Sequence, residues 1–384
     1  MKDFVYSYPT VTWFGAGAAA RALRTVLPRY GTKVMLAYGG GSIKKNGIYD
    51  EITSLLREDG KTIVEFSGIK SNPTLTKVRE GAELARREKV DLILAVGGGS
   101  TSDCCKVVSA QAMTDEDIWA MQFDRHVKPT RFIPLGIIVT VAGTGSDQNN
   151  IAVITNEERR FKAGITGAAP DFSILDPAYT LSVPMPQVVS GAFDTLSHCM
   201  ESYFGKPQDD NLTDELTEGL MRHVIRYTRA LVADPKDVNV RGELMWAASM
   251  AENGMPKIGK ITDFQGHEIA QQFAVRTDCN HGQSLAVVQP ILYRHLYRAA
   301  PARFARWARV VWGVNATDDL EAAKAGVEAL EKFIIEVGLP NSFRKMGFTD
   351  RSFYRDVANS CRIKPGCCRQ LTPGEIYDIL TECY

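Results

Sequence analysis

The chain has 384 residues, 45% of them hydrophobic and 23% charged, and its 45 Lys+Arg balance 45 Asp+Glu. A formal charge of zero argues against a nucleic-acid binder, which needs a basic excess, and the apolar content argues against a disordered chain. The longest apolar stretch, Phe132 to Ala142, is broken by Pro134 and Gly136 and is too short to span a bilayer. Met1-Lys2-Asp3-Phe4 lacks the apolar run of a signal peptide, so the expectation is a cytoplasmic protein with no membrane contact. The eight cysteines include two adjacent pairs at otherwise irregular spacing. They make a poor disulfide framework, and Cys361, Cys367 and Cys368 match no common zinc pattern, so buried free thiols are expected.

In chain order, Val11 to Phe14 is a possible strand, and the Gly15 to Ala20 cluster after it reads as a tight turn into a helix. Lys33 to Tyr38 predicts a strand, Ile43 to Arg57 a helix, Thr62 to Phe66 a strand and Leu75 to Arg87 a helix. Leu92 to Val96 is a continuous apolar run ending in glycines, with a helical stretch from Ser102 and another apolar run from Phe132 to Val139. Strands separated by helical stretches predict parallel βαβ units with a sheet buried on both faces, and ligands beyond the strands' carboxyl ends. From about Met185 the pattern turns helical, over Leu212 to Leu231, Arg241 to Glu252, Ala302 to Trp312 and Leu320 to Val337. Pro184-Met185-Pro186 marks the boundary.

Two glycine clusters sit where such a sheet binds ligands. Gly97-Gly98-Gly99-Ser100-Thr101-Ser102-Asp103 joins an apolar run to a helix, so its backbone donors and the helix dipole suit a pyrophosphate. It lacks the Gly-Lys-Ser/Thr ending of a P-loop, which disfavours ATP-type chemistry. Gly39-Gly40-Gly41-Ser42 ends an earlier strand with no carboxylate to grip a ribose 2′-hydroxyl. Ser42, Lys44 and Lys45 would suit a 2′-phosphate there, and a plain glycine turn fits the same residues. Thr140 to Ser146 adds hydroxyls after the next strand.

Only six histidines occur. Asp194 and His198 are four apart, which puts both on one helix face; His267 lies in a helical stretch, and His281 opens Asn280-His281-Gly282. Imidazoles with one carboxylate suit zinc or ferrous iron rather than calcium or magnesium. The Asp194/His198 pair alone is a spacing more often seen in a helix-surface hydrogen bond than in a ligand pair. His126, His223 and His295 sit among basic or amphipathic residues and read as surface or packing histidines.

Gly97 to Lys106, Gly143 to Ser146, Asp194 with His198, and His267 fourteen residues before His281 occur in order along the chain. As a set they resemble the iron-containing (group III) alcohol dehydrogenases, in particular their butanol-dehydrogenase-like, NADPH-dependent branch. The resemblance implies an α/β fold of dehydroquinate-synthase-like architecture. Residues 1–184 would form a Rossmann-like parallel-sheet NADP-binding domain and residues 185–384 an all-α metal-binding and substrate domain, with a cleft between them. Carried over by position, Asp194, His198, His267 and His281 would hold one divalent metal, Fe2+ first and Zn2+ as the alternative. Gly98, Gly99, Ser100 and Thr101 would bind the pyrophosphate, Gly40, Gly41 and Ser42 would accept NADP(H), and Asn72, Thr140, Thr144 and Lys162 would line the nicotinamide and ribose pocket. Asp103, which matches that motif's aspartate, and His267 would be the catalytic pair.

The implied reaction is reversible hydride transfer between NADPH and the carbonyl carbon of a small aliphatic aldehyde, in a homodimer. Two positions depart from the family pattern. Gln271 stands where members often carry a second histidine, and Asp147 stands where a glutamate usually follows the Gly-Thr-Gly-Ser loop. A glycerol-dehydrogenase-like or dehydroquinate-synthase-like activity, a metal-dependent hydrolase and a non-catalytic nucleotide-binding protein are the competing readings.

Overall fold

A computed structural model describes residues 2–384. The chain forms two compact units: Ser7–Val183 with Lys236–Ser249, and Pro184–Pro235 with Met250–Tyr384 and the N-terminal segment through Tyr6.

The first unit is built on eight strands: β1 (Val11–Phe14), β2 (Lys33–Tyr38), β3 (Thr62–Phe66), β4 (Leu92–Gly97), β5 (Leu135–Val139), β6 (Ile151–Asn156), β7 (Phe161–Thr166) and β8 (Phe172–Leu175). Six make one sheet in the order β1-β8-β5-β4-β2-β3, and every neighbouring pair is parallel. β6 and β7 pair antiparallel as a separate ribbon. Between the strands run α1 (Ala18–Val26), α2 (Ser42–Lys45), α3 (Ile48–Glu58), α4 (Leu75–Glu88), α5 (Gly99–Gln111) and α6 (Ile118–Phe123).

The apolar runs of β4 and β5 are buried throughout because helices cover both faces of the sheet. The period of two sorts their side chains. Met35, Ala37, Ile93 and Ala95 pack with Val78, Ala82, Val107 and Val108 of α4 and α5. Val34, Leu36, Leu92 and Leu94 pack on the other face with Leu23, Ile52 and Leu56 of α1 and α3.

The predicted helix from Ile43 to Arg57 is two helices, because Gly47 takes φ 83°, a left-handed conformation that ends one and starts the next. α5 starts at Gly99, three residues before the predicted onset, and β5 starts only at Leu135, after Pro134. The ribbon and β8 lie beyond the predicted elements.

The second unit is helical: α7 (Met185–Tyr203), α8 (Leu212–Ala233), α10 (Gln265–Thr277), α11 (His281–Leu296), α12 (Pro301–Trp312), α13 (Asp319–Glu336), α14 (Tyr354–Ser360) and α15 (Pro373–Glu382). α9 (Val238–Glu252) contributes residues to both units. An aromatic core stacks Phe204 on Phe304 at 4.1 Å, with Tyr293 and Trp307 edge-on to Phe204. No helix among the described residues is long and apolar enough to cross a membrane.

Candidate active site

The glycine junctions of the first unit lie at the carboxyl ends of β4 and β5. α5 begins without a side-chain cap; the Thr101 and Ser102 N–H groups bond back to the Gly98 carbonyl at 3.1 and 3.2 Å, which leaves the Gly99 and Ser100 N–H groups to a ligand or to water. A Cβ on Gly99 would sit 2.5 Å from the Thr144 side chain, so only glycine lets the two junctions meet this closely. A cavity of about 250 Å³ opens between them, lined by Gly98, Gly99, Gly143, Thr144, Asp147 and Met245 among others. Thr140 sits beside it, its N–H donating to the Gly97 carbonyl at 2.9 Å. Ser100 and Thr101 lie in the first turn of α5.

Asp103, one turn into α5, is turned inward. Its Oδ1 accepts from the Ser146 hydroxyl at 2.5 Å and its Oδ2 from the Val153 N–H at 2.9 Å. Desolvation pushes this carboxyl above the usual carboxylate range, against the pull of Lys106 and the two hydrogen bonds. Asp147 is also braced: its Oδ2 accepts from Ser173 Oγ at 2.7 Å and Ser249 Oγ at 3.1 Å. Lys162 Nζ donates to Asn72 Oδ1 at 2.6 Å, so two of the expected pocket residues meet. At the end of β2, a Cβ on Gly40 or on Gly41 would meet nothing, and Ser42 is exposed. Lys44 Nζ lies 3.6 Å from Glu65 Oε2 and over the Tyr49 ring at 4.4 Å, while Lys45 is exposed.

The histidine cluster lies wholly within the second unit. α7 carries Asp194 and His198 on one face at a spacing of four. Asn280 caps α11, accepting from Gln283 N at 3.1 Å, and Ser190 of α7 donates to the same Asn280 oxygen. A Cβ on Gly282 would lie 2.1 Å from the Ser190 carbonyl, so glycine is what lets α11 press onto α7 and bring His281 in. His267 enters on the first turn of α10.

Asp194 Oδ1 stands 3.5 Å from both His267 Nε2 and His281 Nε2, and 3.9 Å from His198 Nε2. Asp194, His267 and His281 each offer a ligand atom within 4.8 Å of the others. His198 flanks this trio, stacked on His267 at 4.5 Å between ring centroids. Burial would raise the Asp194 carboxyl, but the surrounding imidazoles outweigh it and hold the group well below the ordinary range. Burial lowers His198. Burial also disfavours charge on His267, yet the Glu201 and Asp194 carboxylates overcome this and raise it to about 9.

Asp194 Oδ1 and His267 Nε2 are buried and make no hydrogen bond of ordinary geometry among the described residues. Buried polar atoms are otherwise almost always paired, so these donors fit a cation, and imidazole with carboxylate fits iron or zinc. Cys361, Cys367 and Cys368 form no such group among the described residues. His295 pairs with Glu382 at 2.8 Å and His223 packs on Tyr227, both outside the cluster.

Sequence comparison matches residues 9–177 to the iron-containing alcohol dehydrogenase profile and residues 188–384 to the C-terminal profile of the Fe-containing alcohol dehydrogenase family. The chain belongs to the iron-containing alcohol dehydrogenase family. It is 34% identical to NADH-dependent butanol dehydrogenase A of Clostridium acetobutylicum, over 99% of this chain and 98% of that one. It is 33% identical to the NADPH-dependent aldehyde reductase YqhD of Escherichia coli, over 92% of this chain and 91% of that one. The crystal structure of NADH-dependent butanol dehydrogenase A from Thermotoga maritima superposes with a TM-score of 0.94 at 33% identity, covering 100% of this chain and 99% of that one. The protein is thus an oxidoreductase of the alcohol dehydrogenase type, in a family that uses a nicotinamide coenzyme and a metal.

In this family member several residues beside the cluster escaped the sequence reading. Phe264, left-handed at φ 59°, sets its ring 4.9 Å from that of His267. Ser197 sits 3.5 Å from His267 Nδ1 and accepts from Gln289 Nε2 at 2.5 Å. Glu201 contacts His267 directly. Only Glu201 carried a signal, since it falls seven residues after Asp194 on the same helix face. Gln271 lies four residues after His267 on α10, where its amide offers no titratable proton.

Proposed function

We propose that this enzyme catalyses reversible, NADP(H)-linked hydride transfer between a small aliphatic aldehyde and its alcohol, with a divalent metal, Fe2+ before Zn2+, held by Asp194, His198, His267 and His281. The observation that carries the reading is the Asp194 carboxylate oxygen, ringed by three imidazole nitrogens at 3.5, 3.5 and 3.9 Å and given no hydrogen bond of ordinary geometry among the described residues. A cation bound there supplies Lewis-acid polarisation of a carbonyl oxygen, and the nicotinamide supplies the hydride.

The chain's own residues do the rest. Asp194 brings the negative charge that draws the cation, and the imidazoles fix its surroundings. Gly98, Gly99, Ser100 and Thr101 form the pyrophosphate loop, with the Gly99 and Ser100 N–H groups as its uncapped helix donors. Asp103 acts through position, tying the start of α5 to Ser146 and Val153 so that the cavity keeps its shape. Thr140, Thr144 and the Lys162–Asn72 pair line the reach toward the nicotinamide ribose.

NADP(H) over NAD(H) is supported by the open backbone at Gly40 and Gly41, by Ser42, and by the lack of a carboxylate closing β2. Lys44 and Lys45 add positive charge beside that turn. On the same reading residues 1–184 hold the coenzyme, residues 185–384 hold metal and substrate, and the enzyme works in the cytoplasm as a homodimer.

The test is metal analysis of the purified protein together with NADPH and NADH oxidation against short and medium aliphatic aldehydes. One bound transition metal per chain and faster turnover with NADPH are expected. Full activity in a metal-free preparation overturns the metal reading, and a preference for NADH overturns the coenzyme reading.

A further inference from the structure

Glu201 is an acidic side chain with none of its surface exposed, one turn beyond His198 on α7. The hydrogen bonds of its carboxylate run to the start of α10. Its Oε1 accepts from the Gly266 N–H at 2.5 Å and from the His267 N–H at 3.3 Å. Its Oε2 lies 3.3 Å from the same His267 N–H and against the ring nitrogen Nδ1 of His267. The carboxylate therefore fills the place of an N-cap that α10 lacks, since Phe264 offers no side-chain cap. It also fixes which ring nitrogen of His267 carries a proton. A carboxylate against Nδ1 calls for Nδ1–H as donor and leaves Nε2, 3.5 Å from Asp194, as the nitrogen that faces the cluster.

The neighbouring residues serve this one placement. A Cβ on Gly266 would come within 2.9 Å of Glu201 Oε1, so a side chain there would dislodge the carboxylate. His198 differs: its Nδ1 is buried with no hydrogen-bond partner among the described residues. His267 is oriented by a charged partner on the side of its ring away from Asp194. Such a partner locks the ring and makes its outer nitrogen a stronger donor.

We propose that Glu201 is the positioning residue of the metal centre, holding His267 in the Nδ1–H tautomer with Nε2 aimed at the cation and capping α10 with the same carboxylate. The inference rests on the reading of Asp194, His267 and His281 as metal ligands.

The test titrates the metal-free full-length protein with Zn2+ against a competing chelator, comparing wild type, Glu201→Gln and Asp194→Asn. Glutamine keeps the size but offers one acceptor where the carboxylate serves three donors. Zinc affinity of Glu201→Gln should fall about 10- to 100-fold, while Asp194→Asn loses the site. Thermal unfolding of the metal-free proteins separates the alternatives, because a residue that only held the fold would lower the melting temperature and leave the zinc affinity of the folded protein unchanged. Affinity of Glu201→Gln within twofold of wild type overturns the inference and leaves the ligand reading standing. Wild type that binds no tighter than Asp194→Asn overturns the ligand reading itself. If Glu201→Gln does not fold, histidine 15N spectra of zinc-loaded wild type decide. A proton on His267 Nδ1 with zinc at Nε2 upholds the inference, and a bare Nδ1 overturns it.

Discussion

Two aspartates show how differently this chain uses one residue type. Asp103, in the α/β unit, spends both carboxylate oxygens on its own chain, on a hydroxyl and a backbone N–H. Asp194, in the helical unit, has no hydrogen bond of ordinary geometry to Oδ1 among the described residues, and imidazoles surround that oxygen. Desolvation is the largest influence on each. In Asp103 it wins and the carboxyl is raised, whereas in Asp194 the imidazoles win and the carboxyl is lowered. A carboxylate whose acceptors are filled from within stiffens a loop. One left unfilled beside nitrogen donors is a place for a cation.

The sharpest way to break this contrast is to neutralise both carboxylates. Asp194→Asn should abolish metal retention and bring turnover to background while NADPH binding stays within about twofold of wild type, read by metal analysis and coenzyme titration. Retained metal would place the cation elsewhere. Gly99→Val is next: its Cβ meets Thr144, and overpacking of this kind costs about 1–3 kcal/mol. Coenzyme affinity should fall and the melting temperature with it, and unchanged coenzyme binding would detach the β4–α5 junction from the pyrophosphate.

Asp103→Ala should cost about 1–3 kcal/mol in chemical denaturation, because it leaves the Val153 N–H without its acceptor. Asp103→Asn should cost least, since an amide can accept from Val153 and donate to Ser146. The pH dependence has a definite sign. The folded-state pKa of Asp103 lies above its unfolded value, so the native state binds the extra proton. Its contribution to stability is complete below the unfolded pKa and is lost as pH rises through the folded one. Asp103→Asn should therefore look most favourable relative to wild type near neutrality and lose that advantage on acidification. An advantage that grew on acidification would mean that the carboxyl is lowered rather than raised.

The βαβ alternation was readable because continuous apolar runs such as Leu92 to Val96 and the glycines after them are local signals, and the sheet's parallel pairing follows from the helices between them. β8 was not legible: four residues carry no period, and Phe172–Leu175 becomes a strand only because β1 and β5 lie on either side. The break at Gly47 was missed for the opposite reason, since the apolar spacing runs on across it. Of the histidine cluster, the Asp194/His198 spacing shows on one helix, but spacing alone does not separate a ligand pair from a surface hydrogen bond.

The sequence by itself determined the family that the chain resembles, the candidate site residues and the alternation of strands and helices through β5, because those reside in residue type and local period. Tertiary structure alone decided that Asp194, His267 and His281 converge, that Asp103 turns inward, and that Glu201 stands behind His267. Those outcomes depend on helices distant in sequence meeting at glycine-sized gaps such as Gly266 and Gly282, and on which buried oxygen is left unpaired once they have met.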